Sequence, residues 1–420
     1  MRIVGKWVLA AVLGCLLAAP AMAAEDGAAF DAHASSYRYF FKDGDMDFHF
    51  GNLILGAAVS GGAATGEAFY AASRIKDGDA LTWSNQWYAL AGRVEARGAA
   101  ALKADHAVSA RQQFLRAAYY YRVSILSMSP DDPGFPARAN RCRGLMQMAG
   151  ALLDPPLAYF EVPFENTVLP GYFRPAHADG RPAPTLLMVG GGETFIEDLY
   201  FYIADQAVER GYNFLTVDLP GQGLLPFYGQ PFRTDTCVPM KAVVDYALTL
   251  PAVDPARLAA YGISGGGLFV PQAAERDPRI RAVAMNSAVV DAHALFATMP
   301  AATADEAEMK TWSPFHAAVV SNICWRYGVK HPTGLVEANR GNTFDPAKVF
   351  VPALIIVGQG EFGSEEVRRQ QKAAMDGFPN PLKRMVVTPT DEGATNHCVM
   401  ENRALVGQVL FDWLDEVFAR

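Results

Sequence analysis

Six short apolar runs recur along the chain from residue 185 onward: Thr185–Val189, Phe214–Val217, Leu258–Tyr261, Ile280–Met285, Ala353–Val357 and Met385–Val387. Amphipathic helical stretches separate most of them. Runs of four to six apolar residues without alternation belong to strands buried on both faces. Strands of that kind, alternating with helices, build a parallel sheet. The body is therefore expected to be α/β, a mostly parallel central sheet flanked by helices. Ahead of it, Phe160–Phe164 and Thr167–Phe173 read as a hairpin. A last helix carries Val406, Leu410, Trp413 and Val417 on one face.

Upstream of Pro155 the apolar period becomes helical. Trp83, Trp87, Leu90 and Val94 form one stripe, and Phe114, Ala118, Tyr121 and Ile125 another, which predicts a helix pair broken near Asp105. The breaker-rich stretch Ser127–Gly134 separates this pair from a further helix around Ala137–Leu152. Tyr119, Tyr120 and Tyr121 fit helix–helix packing better than pocket lining. The expected organisation is a leader at 1–23, a helical N-terminal cap domain at 24–155 and an α/β domain at 156–420. The cap is expected to cover the C-terminal edge of the sheet, its Trp and Tyr content between residues 83 and 121 making an aromatic pocket. The stretch Asp291–Phe350 is long for a simple crossover and is expected to add a smaller lid.

The leader reads as an export signal. Arg2 and Lys6 precede the uncharged apolar run Val8–Ala19, and Ala21-Met22-Ala23 is a small-x-small cleavage site. The run is too short to span a bilayer, so no stable membrane insertion is expected after cleavage. Leu13-Gly14-Cys15 would suit lipidation, but the residues after Cys15 stay apolar, which favours plain cleavage. The expected location is periplasmic or secreted. Cys142, Cys237, Cys324 and Cys398 follow the leader, and their spacing leaves one disulfide or free buried thiols open.

With 51% hydrophobic and 19% charged residues, the chain has the composition of a globular protein rather than a disordered one. Its formal charge is -8 and no Lys/Arg run occurs, so no nucleic-acid partner is expected. Histidines and cysteines are scattered without ligand spacing, so no metal constellation is expected.

The chemistry centres on Gly262-Ile263-Ser264-Gly265-Gly266, directly after the run Leu258–Tyr261 and before a helix. A G-x-S-x-G turn in that context exposes a strained serine at a helix N-terminus, whose free N–H groups suit a developing anion. A serine hydroxyl is a weak nucleophile and needs a base and an orienting acid. His293, His316, His331 and His397 follow Ser264, and only His397 lies on a loop after the last strand. Glu361, three residues beyond Gly358 after the preceding strand Ala353–Val357, is the candidate acid. Glu365 and Glu366 belong to the next helix. Gly265 and Gly192, or Gly191 beside it, are the candidate amide donors for an oxyanion. The triple glycine lacks the G-x-G-x-x-G spacing and a Walker lysine, so no cofactor is expected.

Leu169-Pro170-Gly171-Tyr172, Gly190-Gly191-Gly192-Glu193-Thr194, Asp218-Leu219-Pro220-Gly221-Gln222-Gly223, the serine turn and Glu392–Cys398 together resemble the α/β-hydrolase superfamily. More narrowly, with Ser109-Ala110-Arg111 and Tyr119-Tyr120-Tyr121-Arg122, the chain is similar to the group containing 2,6-dihydroxypseudooxynicotine hydrolase and FrsA-like proteins. The resemblance implies an α/β-hydrolase fold with a helical cap, a serine triad and often a homodimer. It implies a small-molecule substrate, cleaved at an ester or at a carbon–carbon bond beside a ketone. The group more often has aspartate where this chain has Glu361. Carbon–carbon hydrolysis there also uses an acidic residue near the substrate. Asp291 is the candidate for that contact, although its place before Ala292–Phe296 equally suits a helix N-cap.

Two function classes follow. One is a serine hydrolase acting on a medium-sized aryl or acyl substrate. The other is a non-catalytic binding or signalling protein retaining the fold, in which the triad should be broken. A peptidase of the prolyl-oligopeptidase type would share the α/β domain but carry a β-propeller front.

Overall fold

The computed structural model describes residues 29–419; the leader expected at 1–23 lies outside them. Three helices dominate the front: α1 (Ala80–Lys103), α2 (Ala107–Ser124) and α3 (Gly134–Gly150). Asp79 caps α1 by accepting the Thr82 N–H at 2.7 Å. The break between α1 and α2 falls at Asp105, which takes a left-handed backbone. Trp83, Trp87, Leu90 and Val94 face inward as their spacing predicts, and the Trp83 indole N–H donates to the Val123 carbonyl at 2.9 Å.

Eight strands follow: β1 (Ala158–Phe164), β2 (Thr167–Arg174), β3 (Ala183–Val189), β4 (Asn213–Val217), β5 (Val253–Ile263), β6 (Ala282–Asn286), β7 (Ala353–Gly358) and β8 (Lys383–Thr388). They form one sheet in the order β1-β2-β4-β3-β5-β6-β7-β8. β2 runs antiparallel to both its neighbours, and every pair from β4 to β8 is parallel. Connections between the parallel strands include α4 (Gly266–Ala274) and α5 (Pro314–Tyr327), and α6 (Arg403–Phe418) closes the chain. This is an α/β-hydrolase fold with a helical N-terminal region.

Successive side chains of the central strands enter opposite cores. Leu186, Met188, Tyr261, Leu354 and Ile356 pack on the face that also holds Trp83, Trp87 and α6. Leu187, Val189, Ala260, Ile355 and Val357 pack on the other face. The helical front thus shares a continuous core with one face of the sheet. That docking also encloses charge. Arg143 of α3 reaches Glu197 at 3.1 Å and Asp218 at 3.0 Å, and Tyr172 donates to the same Glu197 oxygen at 3.0 Å. Both carboxylates are buried, so the guanidinium is their necessary partner.

Cys142, Cys237, Cys324 and Cys398 are all free and buried. Replacing Arg143 with alanine should strand two buried carboxylates and destabilise the fold by about 3–5 kcal/mol. Urea unfolding followed by tryptophan fluorescence measures this. A loss below about 1 kcal/mol would mean the network is not what docks the front.

Candidate active site

β5 ends at Ile263, and the chain turns through Ser264 straight into α4. Ser264 has φ 55°, a left-handed backbone that a non-glycine residue adopts only when its surroundings impose it. Its N–H donates to the Asn286 carbonyl at 2.8 Å, and its own carbonyl accepts from Gly267 N–H at 2.8 Å. A Cβ at Gly262 would stand 2.0 Å from the Gly266 oxygen, so the turn can be this sharp only with glycine there.

The loop after β3 packs against this turn. A Cβ on Gly191 would lie 2.5 Å from Ser264 Cβ and 2.6 Å from its Oγ. The Gly191 N–H donates to Thr194 Oγ1 at 2.9 Å, so it is already satisfied. Gln222 holds the loop from behind, donating to the Gly190 and Gly191 carbonyls. Gly192 and Gly265 both line the cavity at Ser264, and no hydrogen bond within the described residues takes up either amide. Between the two glycines the sequence leaves open, geometry favours Gly192.

His397 and Glu361 come from the loops after β8 and β7. The Glu361 Oε1 atom lies 3.1 Å from His397 Nδ1 and accepts the Ser287 hydroxyl at 2.6 Å. Both His397 ring nitrogens are buried without a hydrogen-bond partner among the described residues, Nδ1 making an ion-pair contact with Glu361, and the ring shares the cavity with Ser264. Burial by itself would raise the Glu361 carboxyl; His397 and Ser287 outweigh it and hold the carboxyl below its usual range. Burial opposes a charge on His397, and the Glu361 carboxylate favours one. Asn286 ties the parts together. Its carbonyl accepts from Ser264 N–H and from the Cys398 thiol, and its amide donates to the Cys398 carbonyl at 2.8 Å.

The cavity measures about 180 Å³ and its walls are mostly apolar. Leu295, Phe296, Met299, Val320, Ile323 and Tyr327 form one side, all from the stretch expected to be a lid. Phe30, Phe48 and Leu53 of the N-terminal segment form another, with the Phe30 ring edge-on to His397 at 5.6 Å. The aromatic lining expected from residues 83–121 is not found. Trp83, Trp87, Tyr119 and Tyr120 are fully buried in the core, and of α1 to α3 only Arg122 reaches the cavity. Asp291 also stays out of the lining: it caps the helix Ala292–Phe296, accepting Ala294 N–H at 3.0 Å.

Comparison with known proteins gives the family of the chain. The FrsA-like esterase family model matches residues 77–309, more than half of the chain. The chain belongs to the FrsA-like esterase family. It is a hydrolase of the α/β type. This FrsA-like chain is 36% identical over 256 residues to the hydrolyase poxO of Penicillium oxalicum, covering 58% of itself and 60% of that relative's length. It is 28% identical over 400 residues to the hydrolase LUC6 of a Fusarium species, covering 87% of itself and 94% of that relative. The solved structure of 2,6-dihydroxy-pseudo-oxynicotine hydrolase superposes with a TM-score of 0.69 at 22% identity, over 86% of this chain and 95% of the other.

In this FrsA-like chain the structure brings Ser264, Glu361, His397, Gly192 and Gly265 to one cavity. It also brings there a group that spacing does not reveal. Asp45 lies 2.8 Å from His33 Nδ1, 3.1 Å from His49 Nδ1 and 2.9 Å from His316 Nδ1, and Glu193 lies 2.9 Å from His33 Nε2. The Asp45/His49 pair, four residues apart on one helical turn, is the only local signal of it. The expectation of no metal constellation overlooked this cluster, because Glu193 stands more than 140 residues from His33 and His49.

Changing Gly191 to alanine should force Ser264 to move and lower turnover by roughly 100-fold, with the melting temperature as the control for folding. A variant with full activity would mean the loop yields without disturbing the serine. Glu361 adds stability that is present above its ordinary value near pH 4.3 and lost as pH falls through its lower folded value. Between about pH 5 and pH 3, the unfolding midpoint of wild type should therefore fall more steeply than that of Glu361→Gln. Parallel curves would show that the carboxylate is not held below its usual range.

Proposed function

We propose that this protein is a serine hydrolase that cleaves an ester, or a carbon–carbon bond beside a ketone, in a medium-sized aryl or acyl substrate. The observation that carries the reading is the left-handed Ser264, placed at the start of α4 in the same cavity as the His397–Glu361 pair. Ser264 Oγ attacks the substrate carbonyl while His397 Nε2 takes its proton. Glu361 keeps the proton of the neutral imidazole on Nδ1 and stabilises the imidazolium that forms. The Gly192 and Gly265 amides donate to the oxyanion of the tetrahedral intermediate.

As the intermediate collapses, the bond to the leaving group breaks and His397 returns the proton to that group. For an ester the proton goes to an alkoxide oxygen; for a ketone-adjacent bond it goes to the departing carbon. Water, activated by His397 in the same way, then hydrolyses the acyl-enzyme and releases a carboxylic acid. The apolar lid and the Phe30–Phe48 wall suit an acyl or aryl body.

The test is turnover of p-nitrophenyl esters and of aryl 1,3-diketones by wild type and Ser264→Ala, with fluorophosphonate labelling of both. Wild type should turn over at least one class and label at Ser264, and the variant should lose at least about 1,000-fold in rate and all labelling. Wild type that neither labels nor turns over either class would overturn the reading in favour of a binding protein. Retained activity in Ser264→Ala would overturn the assignment of the nucleophile.

A further inference from the structure

The cluster beside the catalytic loop has a donor arrangement that hydrogen bonding leaves incomplete. His49 Nδ1 is 2.7 Å from the Asp45 carbonyl oxygen, which can only accept, so Nδ1 carries the proton. The lone pair of a neutral His49 is therefore on Nε2. That atom is buried in a residue only 1% exposed, has no hydrogen-bond partner among the described residues, and lies 3.7 Å from Glu193 Oε2. The gap is too long for a hydrogen bond. Two donors sharing a tetrahedral zinc at about 2.0–2.1 Å stand roughly 3.4 Å apart, and the gap is close to that.

His33 completes the set. Its Nδ1 faces Asp45 Oδ1 at 2.8 Å and its Nε2 hydrogen-bonds Glu193 Oε2 at 2.9 Å, a bond that a cation would replace by displacing the Nε2 proton and widening the gap. The His33, His49 and Glu193 donor atoms all lie within 4.8 Å of one another. Asp45 thus stands behind both imidazoles while their Nε2 atoms converge on one carboxylate. A carboxylate behind each metal-binding histidine is the usual way a protein fixes ring orientation and tautomer at a metal. Asp45 is itself held by His316 Nδ1 at 2.9 Å, and Arg122 fixes the Glu193 backbone by donating to its carbonyl at 2.8 Å. His33, His49 and Glu193 all line the cavity that holds Ser264, so a fourth coordination position would open toward substrate.

We propose that His33, His49 and Glu193 bind a divalent cation of the zinc class on the wall of the active-site cavity, with Asp45 orienting the two histidines. Two imidazoles and one carboxylate are a borderline donor set that suits zinc over magnesium or calcium. A cation there would offer a second oxygen of the substrate an electrophile, adjacent in the chain to the Gly192 amide. The proposal does not depend on the role given to Ser264.

The test uses the full chain without a polyhistidine tag, stripped with a chelator and then equilibrated with zinc chloride alone or cobalt(II) chloride alone. Wild type and Ser264→Ala should each retain one zinc per chain by elemental mass spectrometry. Their cobalt forms should show the visible bands of a four- or five-coordinate nitrogen–oxygen site. His33→Gln and Glu193→Gln should each weaken zinc binding by about 100-fold, and Asp45→Asn by roughly 10–100-fold. Changing the exposed His331 to glutamine should alter nothing. His33 lies on an irregular segment, so its variant tests the site even where a change at buried His49 prevents folding. Binding of less than a tenth of an equivalent by wild type would overturn the proposal and leave a cluster held together by protons alone. Unchanged affinity in both His33→Gln and Glu193→Gln would overturn it equally.

Discussion

The site depends on how closely backbone can approach backbone around Ser264. A serine in the left-handed region costs of order 1–3 kcal/mol, and nothing in its own side chain offsets that. The offset comes from neighbours that leave no room for another arrangement. Gly262 lies against the Gly266 carbonyl, Gly191 against Ser264 itself, and the Ser264 N–H is taken by Asn286. Once the turn is locked, Gly265 at the start of α4 and Gly192 of the loop after β3 line the same cavity as Ser264. The cavity is organised from that residue outward.

Asn286 extends this constraint across the sheet. It ends β6, next to the serine strand, and its side chain holds the histidine loop through the Cys398 carbonyl, which also accepts Tyr202 Oη–H at 2.5 Å. The next residue, Ser287, donates to Glu361. Two consecutive residues at one strand end thus contact the serine turn, the histidine loop and the acid. This arrangement also accommodates glutamate where the resembling group more often has aspartate. The short helical turn Gln359–Phe362 places the Glu361 backbone, and the longer side chain spans to His397 with Ser287 steadying the shared oxygen.

What the sequence made legible is what local pattern encodes. Strand runs such as Ala353–Val357, the stripes of α1 and α2, and the serine turn each occupy a few consecutive residues whose spacing determines their conformation. Glu361 and His397 could be singled out as candidates because the order of strands limits where an acid and a base can stand, and the fold brings them to 3.1 Å of each other. The pocket wall was not. Aromatic richness in residues 83–121 marks the core of a helix pair as readily as a binding surface, and here Trp83 and Trp87 pack inward. The wall comes instead from the N-terminal segment around Phe30, Phe48 and Leu53 and from the Leu295–Tyr327 lid. Neither has a period that distinguishes lining from filler. The Asp45 cluster was hidden for a related reason: its histidines come from residues 33, 49 and 316, brought together only by the docking of front, lid and sheet.

That docking gives the cavity two chemically different ends. Toward the lid it presents Leu295, Phe296, Met299 and Tyr327, which can only exclude water and fill space around an apolar group. Toward the front it presents His33, His49, Glu193 and Arg122, with Ser264 and its amide donors lining the same space. Those polar groups are paired largely with one another, His33 with Asp45 and Glu193, and Arg122 with Asp198 and the Glu193 carbonyl, so their burial is compensated within the protein whatever apolar body fills the lid end.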